Sequence, residues 1–144
     1  MGMIRLGTKP PLTVAPEDTV LEAVAAMTSR HVGAATVLDG QRVAGIFSER
    51  DVMQRVVLAG LDPKRTRVRE VMSSPAVTVP IDSSVELAAS LMRRHHIRHL
   101  CVVDEKGALL GMIALRYLLY DLLDEMERKV TDLEGYVMAD GPGG

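Results

Sequence analysis

Gly45-Ile46-Phe47-Ser48-Glu49-Arg50-Asp51 returns in altered form as Gly111-Met112-Ile113-Ala114-Leu115-Arg116-Tyr117. Each stretch is an apolar run that ends where a helix can begin, so each reads as a buried strand turning into a helix. The second copy keeps the apolar half but carries Ala114 for Ser48 and Tyr117 for Asp51. Working outward, Thr13-Val14-Ala15-Pro16-Glu17-Asp18-Thr19-Val20 lies over Thr78-Val79-Pro80-Ile81-Asp82-Ser83-Ser84-Val85 at an offset of 65 residues. The offset holds through Met27 over Met92, Val37 over Val102 and Asp39 over Asp104, and one extra residue then brings Gly45 onto Gly111. The chain is an internal duplication.

The two copies share one pattern. A short extended entry leads to a capping-box start, Thr19-x-x-Glu22 in the first copy and Ser83-x-x-Glu86 in the second. A helix follows, with Val20, Leu21, Val24 and Met27, and again Leu87, Leu91 and Met92, at helical spacing. Ala34 to Leu38 and Leu100 to Val103 then read as buried strands, as do Val43 to Phe47 and Leu109 to Ile113. A closing helix is expected from about Glu49 to Ala59 and from about Leu115 onward. Each unit is β-α-β-β-α, too small to cover both faces of its own sheet. The fold class is therefore α/β (α+β), with two repeats packed face to face about a pseudo-two-fold axis. The expected boundaries are 8–60 for the first repeat, 61–74 for a connector, 75–125 for the second repeat and 126–144 for a helix extension and tail. The connector holds Lys64, Arg65, Arg67 and Arg69, reads as a solvated linker and forms a short helix after Thr66. Beyond the second repeat, Leu118, Leu119, Leu122, Leu123, Met126, Val130, Leu133 and Val137 continue an apolar stripe that something must cover. Gly141-Pro142-Gly143-Gly144 reads as a disordered tail.

Composition bounds the function. The 144 residues are 47% hydrophobic and carry a formal charge of −2, without a long Lys/Arg run. That balance, with three Tyr, one Phe and no Trp, argues against nucleic-acid binding, which draws on phosphate neutralisation and stacking platforms. The single cysteine, Cys101, lies in an apolar run and can form no internal disulfide, so a buried thiol and a reducing, cytoplasmic location are expected. No apolar stretch approaches the ~20 residues that cross a bilayer, and no signal-peptide core stands at the N-terminus, so no membrane partner is expected. Met1-Gly2 begins like a myristoylation signal, but Leu6 stands where Ser or Thr is wanted.

No Gly-rich phosphate loop, nucleophile elbow or metal triad appears, so the chain does not read as an enzyme and no catalytic cofactor is expected. Ser48-x-x-Asp51 has two readings. It is a helix N-cap with Asp51 at the third helical position, and it is a hydroxyl and carboxylate at a helix start, where the dipole favours negative charge. Arg98-His99 offers a planar fork and a pH-dependent donor, or a solvated strand edge. His95, His96 and His99 stand among Arg93, Arg94 and Arg98, which would repel a divalent ion.

The duplicated unit, the connector end Glu70-Val71-Met72-Ser73, the run Ile97-Arg98-His99-Leu100-Cys101-Val102-Val103-Asp104 and the corner at Gly45–Asp51 together resemble a tandem pair of cystathionine-β-synthase (CBS) domains, a Bateman module. The likeness covers about residues 8 to 125 and is nearest to small stand-alone bacterial two-CBS proteins. It implies a regulatory module with two clefts between the repeats, each of a kind that takes AMP, ADP, ATP, NAD or S-adenosylmethionine. On that likeness Ser48 and Asp51 hold the ribose. Ile46 before the corner packs against the purine face or in the core alone, and Glu49 and Arg50 reach either ligand or solvent. Met72, Ser73, Pro75, Ala76 and Val77 approach the base, and Arg98 and His99 the phosphate. The second cleft, at Ala114 and Tyr117 with Gly33 and Ala34, lacks hydroxyl, carboxylate and cation. Cys101 stands where proline is common in the family. The likeness also implies a flat homodimer and a regulated protein outside this chain, and the apolar stripe of the C-terminal helix is expected to take part in or extend the dimer contact. The alternative is a ligand-free interaction module that docks a partner enzyme or channel.

Overall fold

The computed structural model describes residue 4 and residues 10–140, with side chains as far as Leu133. Met1, Gly2, Leu6, residues 8 and 9, the side chain of Val137 and the Gly141–Gly144 tail lie outside the described residues. The first repeat comprises β1 (Thr13–Val14), α1 (Val20–Ser29), β2 (Ala34–Asp39), β3 (Arg42–Ser48) and α2 (Glu49–Asp51). The second comprises β4 (Thr78–Pro80), α4 (Val85–His95), β5 (His99–Val103), β6 (Leu109–Ala114) and α5 (Leu115–Asp140), with α3 (Val68–Val71) in the connector. Each repeat forms one three-stranded sheet, in which the entry strand runs parallel to the middle strand and the third strand antiparallel to it. Both middle pairs carry a register irregularity at matching places, Val37/Leu38 and Val102/Val103.

The middle strands are mostly apolar because both their faces are covered. Ala35, Val37 and Phe47 point into the first repeat's own core with Val20, Ala23 and Met27 of α1. Ala34 and Ile46, on the other face, meet Cys101 of the second repeat, with Ala76, Leu109 and Met112 packed around them. At the centre the Thr36 hydroxyl and the Cys101 thiol lie 3.6 Å apart, both fully buried. These two residues are counterparts at the 65-residue offset, so the pseudo-two-fold axis passes between them. Cys101 thus sits against its own equivalent at the repeat interface, and burial pushes its thiol pKa up while the bond to Thr36 partly offsets that.

Two local expectations change. The α1 cap is Thr19, which accepts from the Glu22 amide, but the α4 cap is Ser84, accepting from the Leu87 amide at 3.1 Å. Ser83 is buried instead, and its carbonyl accepts from the Ile4 amide. Ser84 is the residue that the offset lays over Thr19, so the correct cap follows from the duplication. The helix expected from Glu49 to Ala59 is a single α-turn to Asp51, which widens into a π-helix over Val52–Val57. The widened turns keep Val56 fully buried and leave Met53, Val57 and Leu58 outside.

The connector packs on the first repeat. Val68 is fully buried, its amide donates to the Asp18 carbonyl, and Arg67 and Arg69 bond to Glu17. Ile4 makes the matching contact on the second repeat, its amide meeting Ser83 as Val68 meets Asp18.

Candidate functional site

The corner between β3 and α2 is built by reciprocal hydrogen bonds. The Ser48 hydroxyl accepts from the Asp51 amide, while Asp51 Oδ2 accepts from the Ser48 amide at 2.9 Å and from its hydroxyl at 3.2 Å. The capping reading of Ser48-x-x-Asp51 is therefore realised. The second oxygen of Asp51 faces the connector. Oδ1 accepts from the Ser73 hydroxyl at 2.9 Å and lies 3.8 Å from Arg55 Nε. Asp51 is 4% exposed, so a buried carboxylate joins the first repeat's corner to the segment that leads into the second.

Main-chain bonds hold that segment in place. The Ile46 amide donates to the Ser73 carbonyl at 2.9 Å, and the Ser73 amide returns the bond at 2.8 Å. Gly45 permits the approach, because a Cβ there would lie 2.6 Å from the Ser73 carbonyl oxygen and 3.0 Å from Met72 Sδ. Arg55 donates to the Met72 carbonyl at 2.7 Å, and the Ser74 hydroxyl to the Ala44 carbonyl at 2.9 Å. Arg55 escaped notice in the sequence, although its i,i+4 spacing from Asp51 on a helix start is the signal that could have found it.

Ile46, Ser48, Asp51, Met72 and Ser73 thus come together. Arg50 reaches across to the His96 carbonyl at 2.8 Å, next to the turn that leads into Arg98 and His99. Arg98 is exposed and His99 half-buried at the first position of β5, opposite Ala114. Burial pushes the His99 pKa below its ordinary value, and the charges of Arg98 and Arg116 add to the effect. Pro75 is exposed, Ala76 packs with Ile46 between the repeats, and Val77 packs on the second core. Among the described residues no hydrogen bond joins Asp51 to Arg98 or His99.

The pseudo-symmetric set of residues has a different charge. Gly33 is the counterpart of Arg98, and the Glu49 carboxylate lies within 3.4 Å of where a Gly33 Cβ would stand. Tyr117 replaces Asp51, is exposed, and lies under the Arg116 guanidinium at 5.1 Å from ring centre. Among the described residues no group of three or more His, Cys, Asp or Glu side chains could hold a metal ion, and no helix is long and apolar enough to cross a membrane.

Comparison with known proteins follows the same repeat structure. The chain is 32% identical over 126 residues to a mitochondrial CBS domain-containing protein of Arabidopsis thaliana, covering 84% of this chain but 61% of that protein. A CBS domain protein from Pyrobaculum aerophilum, solved in complex with AMP, superposes with a TM-score of 0.72 at 30% identity, over 81% of this chain and 94% of that one. A hexameric CBS-CP12 protein from bloom-forming cyanobacteria gives a TM-score of 0.72 at 27% identity, over 96% of this chain and 88% of that one. The CBS domain pattern itself matches residues 4–58 and again 68–129. Two matched repeats, two like sheets and one axis between them place this chain in the CBS domain family, as a tandem pair of the regulatory type.

Proposed function

We propose that this CBS pair binds one adenine nucleotide (AMP, ADP, ATP or NAD) per chain in the cleft at Asp51. It works as a homodimer and signals to a regulated protein through a shift in repeat or dimer geometry. The observation that carries the reading is the Asp51 carboxylate, buried yet held by the hydroxyls of Ser48 and Ser73. A ribose diol presents two O–H donors of the kind that Ser73 supplies, and can take its place on Oδ1. Exchange of Ser73 for ribose removes one of the bonds that hold the Met72–Ser73 segment on the first repeat, which gives the ligand different affinities for two arrangements, the condition for any signal. Ile46 supports the base, and Arg98 and His99 supply the cationic side for phosphate. The AMP complex of the Pyrobaculum protein supports the ligand class, and the hexameric cyanobacterial protein supports self-association.

Calorimetric titration with AMP, ATP and NAD tests the reading, with binding tighter than millimolar expected for at least one. Asp51→Asn keeps the side-chain volume and removes the charge, and should weaken that binding by about 1.5–3 kcal/mol. Absence of binding by all three overturns the proposal. A second reading, a ligand-free docking module, is favoured by the same carboxylate being fully hydrogen-bonded within the chain. It predicts a melting temperature that no nucleotide moves, whereas a ligand at a hundred times its dissociation constant adds ~2.7 kcal/mol.

A further inference from the structure

α5 carries two apolar faces, and among the described residues only one of them has a partner. Leu118 is buried in the second repeat's core, and Leu115 and Leu122 pack against the same core. Leu119, Leu123, Met126, Val130 and Leu133 form a separate row, each between 49% and 64% exposed. Their spacing is 4, 3, 4, 3, the alternation of a heptad seam, and the sequence continues it with Val137. An ordinary amphipathic surface helix has one broad stripe, whereas this row is a narrow second one, about 21 Å long at 1.5 Å per residue. Leu123, Met126, Val130, Glu127 and Thr131 line an open groove along it.

We propose that the occupant of this row is the same row of a second copy, in a parallel, in-register two-stranded coiled coil. The proposal rests on the homodimer reading above but commits it to one surface and one orientation. A strict heptad seam fits another seam of equal period, and a second copy supplies one at no mismatch of length. Charge selects the orientation. An antiparallel pairing that opposes Leu123 with Leu133 and Met126 with Val130 brings Glu127 beside the second copy's Glu127, and Lys129 beside the second copy's Lys129. A parallel pairing separates those like charges. Both globular halves then lie at the same end of the coil, on either side of its axis.

The test uses the full chain. Sedimentation equilibrium at micromolar concentration should show a dimer, and Leu123→Glu with Val130→Glu, both at exposed positions, should convert it to monomer while the buried Cys101 thiol stays protected from thiol reagents. Met126→Cys should link to its own copy under mild oxidation, while the wild-type chain, whose Cys101 is fully buried, should not. A wild-type monomer overturns both this proposal and the homodimer. A dimer that survives the double substitution overturns the coiled coil and leaves the homodimer to another face. Linking of mixed Met126→Cys and Val130→Cys chains, without self-linking of either, overturns the parallel orientation.

Discussion

Gly45→Ala isolates the contact that lays the connector on the first repeat. A methyl group at residue 45 would stand 2.6 Å from the Ser73 carbonyl oxygen, which is main chain and cannot rotate aside as Met72 Sδ can. The connector must therefore lift. Lifting breaks two main-chain bonds between Ile46 and Ser73, each contributing about 1 kcal/mol, and the Ser73 bond to the Asp51 carboxylate, about 1.5–3 kcal/mol. Alanine recovers roughly 0.5–1 kcal/mol over glycine within a strand. Partial re-bonding to water lowers the remainder, and the expected net loss is about 2–4 kcal/mol. Gly40→Ala is the control. Gly40 has a positive φ of 65° with nothing within 4 Å, so its substitution costs only the backbone strain, roughly 1–2 kcal/mol. Urea unfolding of both variants gives the order, and amide exchange at Ser73 shows whether the bridge has opened. A Gly45→Ala midpoint equal to wild type, with Ser73 still protected, would refute the reasoning.

Three further outcomes are expected. The His99 pKa is held below its ordinary value of 6.5 by burial and by Arg98 and Arg116, so the unfolded chain takes the proton first as pH falls. The stability this supplies is complete above about pH 6.5 and declines as pH falls from there toward the folded-state value; His99→Gln should flatten that slope in urea melts across the range. Ser84→Ala should cost about 1 kcal/mol through loss of the α4 cap, and Ser83→Ala less, which thermal unfolding of the pair decides. Thr36→Val removes a hydroxyl whose partner is only a thiol and leaves a methyl in an apolar interface, so its unfolding free energy should stay within about 1 kcal/mol of wild type.

The duplication made most of the fold legible. Buried strands showed as continuous apolar runs because Ala34 and Ala35, adjacent in sequence, each face a core, one between the repeats and one within the first. The corner at Ser48 and Asp51 was legible too, since a cap needs its residues three apart. What the sequence hid is non-local. The bond from Ser73 to Asp51 spans 22 residues, and the bond from Arg50 to the His96 carbonyl spans 46. The π-helix after Asp51 was hidden for another reason, because Val52 to Val57 carries the residue types of an ordinary helix and nothing in that pattern announces a wider turn.

A duplicated chain supplies its own control, because each residue in one cleft has a counterpart in the other under nearly the same backbone. Ser48 and Asp51 answer to Ala114 and Tyr117, and Arg98 and His99 answer to Gly33 and Ala34. Folding alone does not require the polar set, since β6 runs into α5 without a hydroxyl or a carboxylate at that corner. The difference extends to charge. The Glu49 carboxylate lies beside Gly33, whereas its counterpart Leu115 donates only its amide to the Arg98 carbonyl. An anionic ligand would therefore meet an acid at Gly33 and Ala34, and cations at Arg98 and Arg116. If the proposed site is correct, Gly33→Arg together with Ala34→His should not create a second site while Glu49 remains, because an introduced guanidinium would pair with that carboxylate before it met a phosphate. A second calorimetric binding event in that variant would show that charge is not what separates the two clefts.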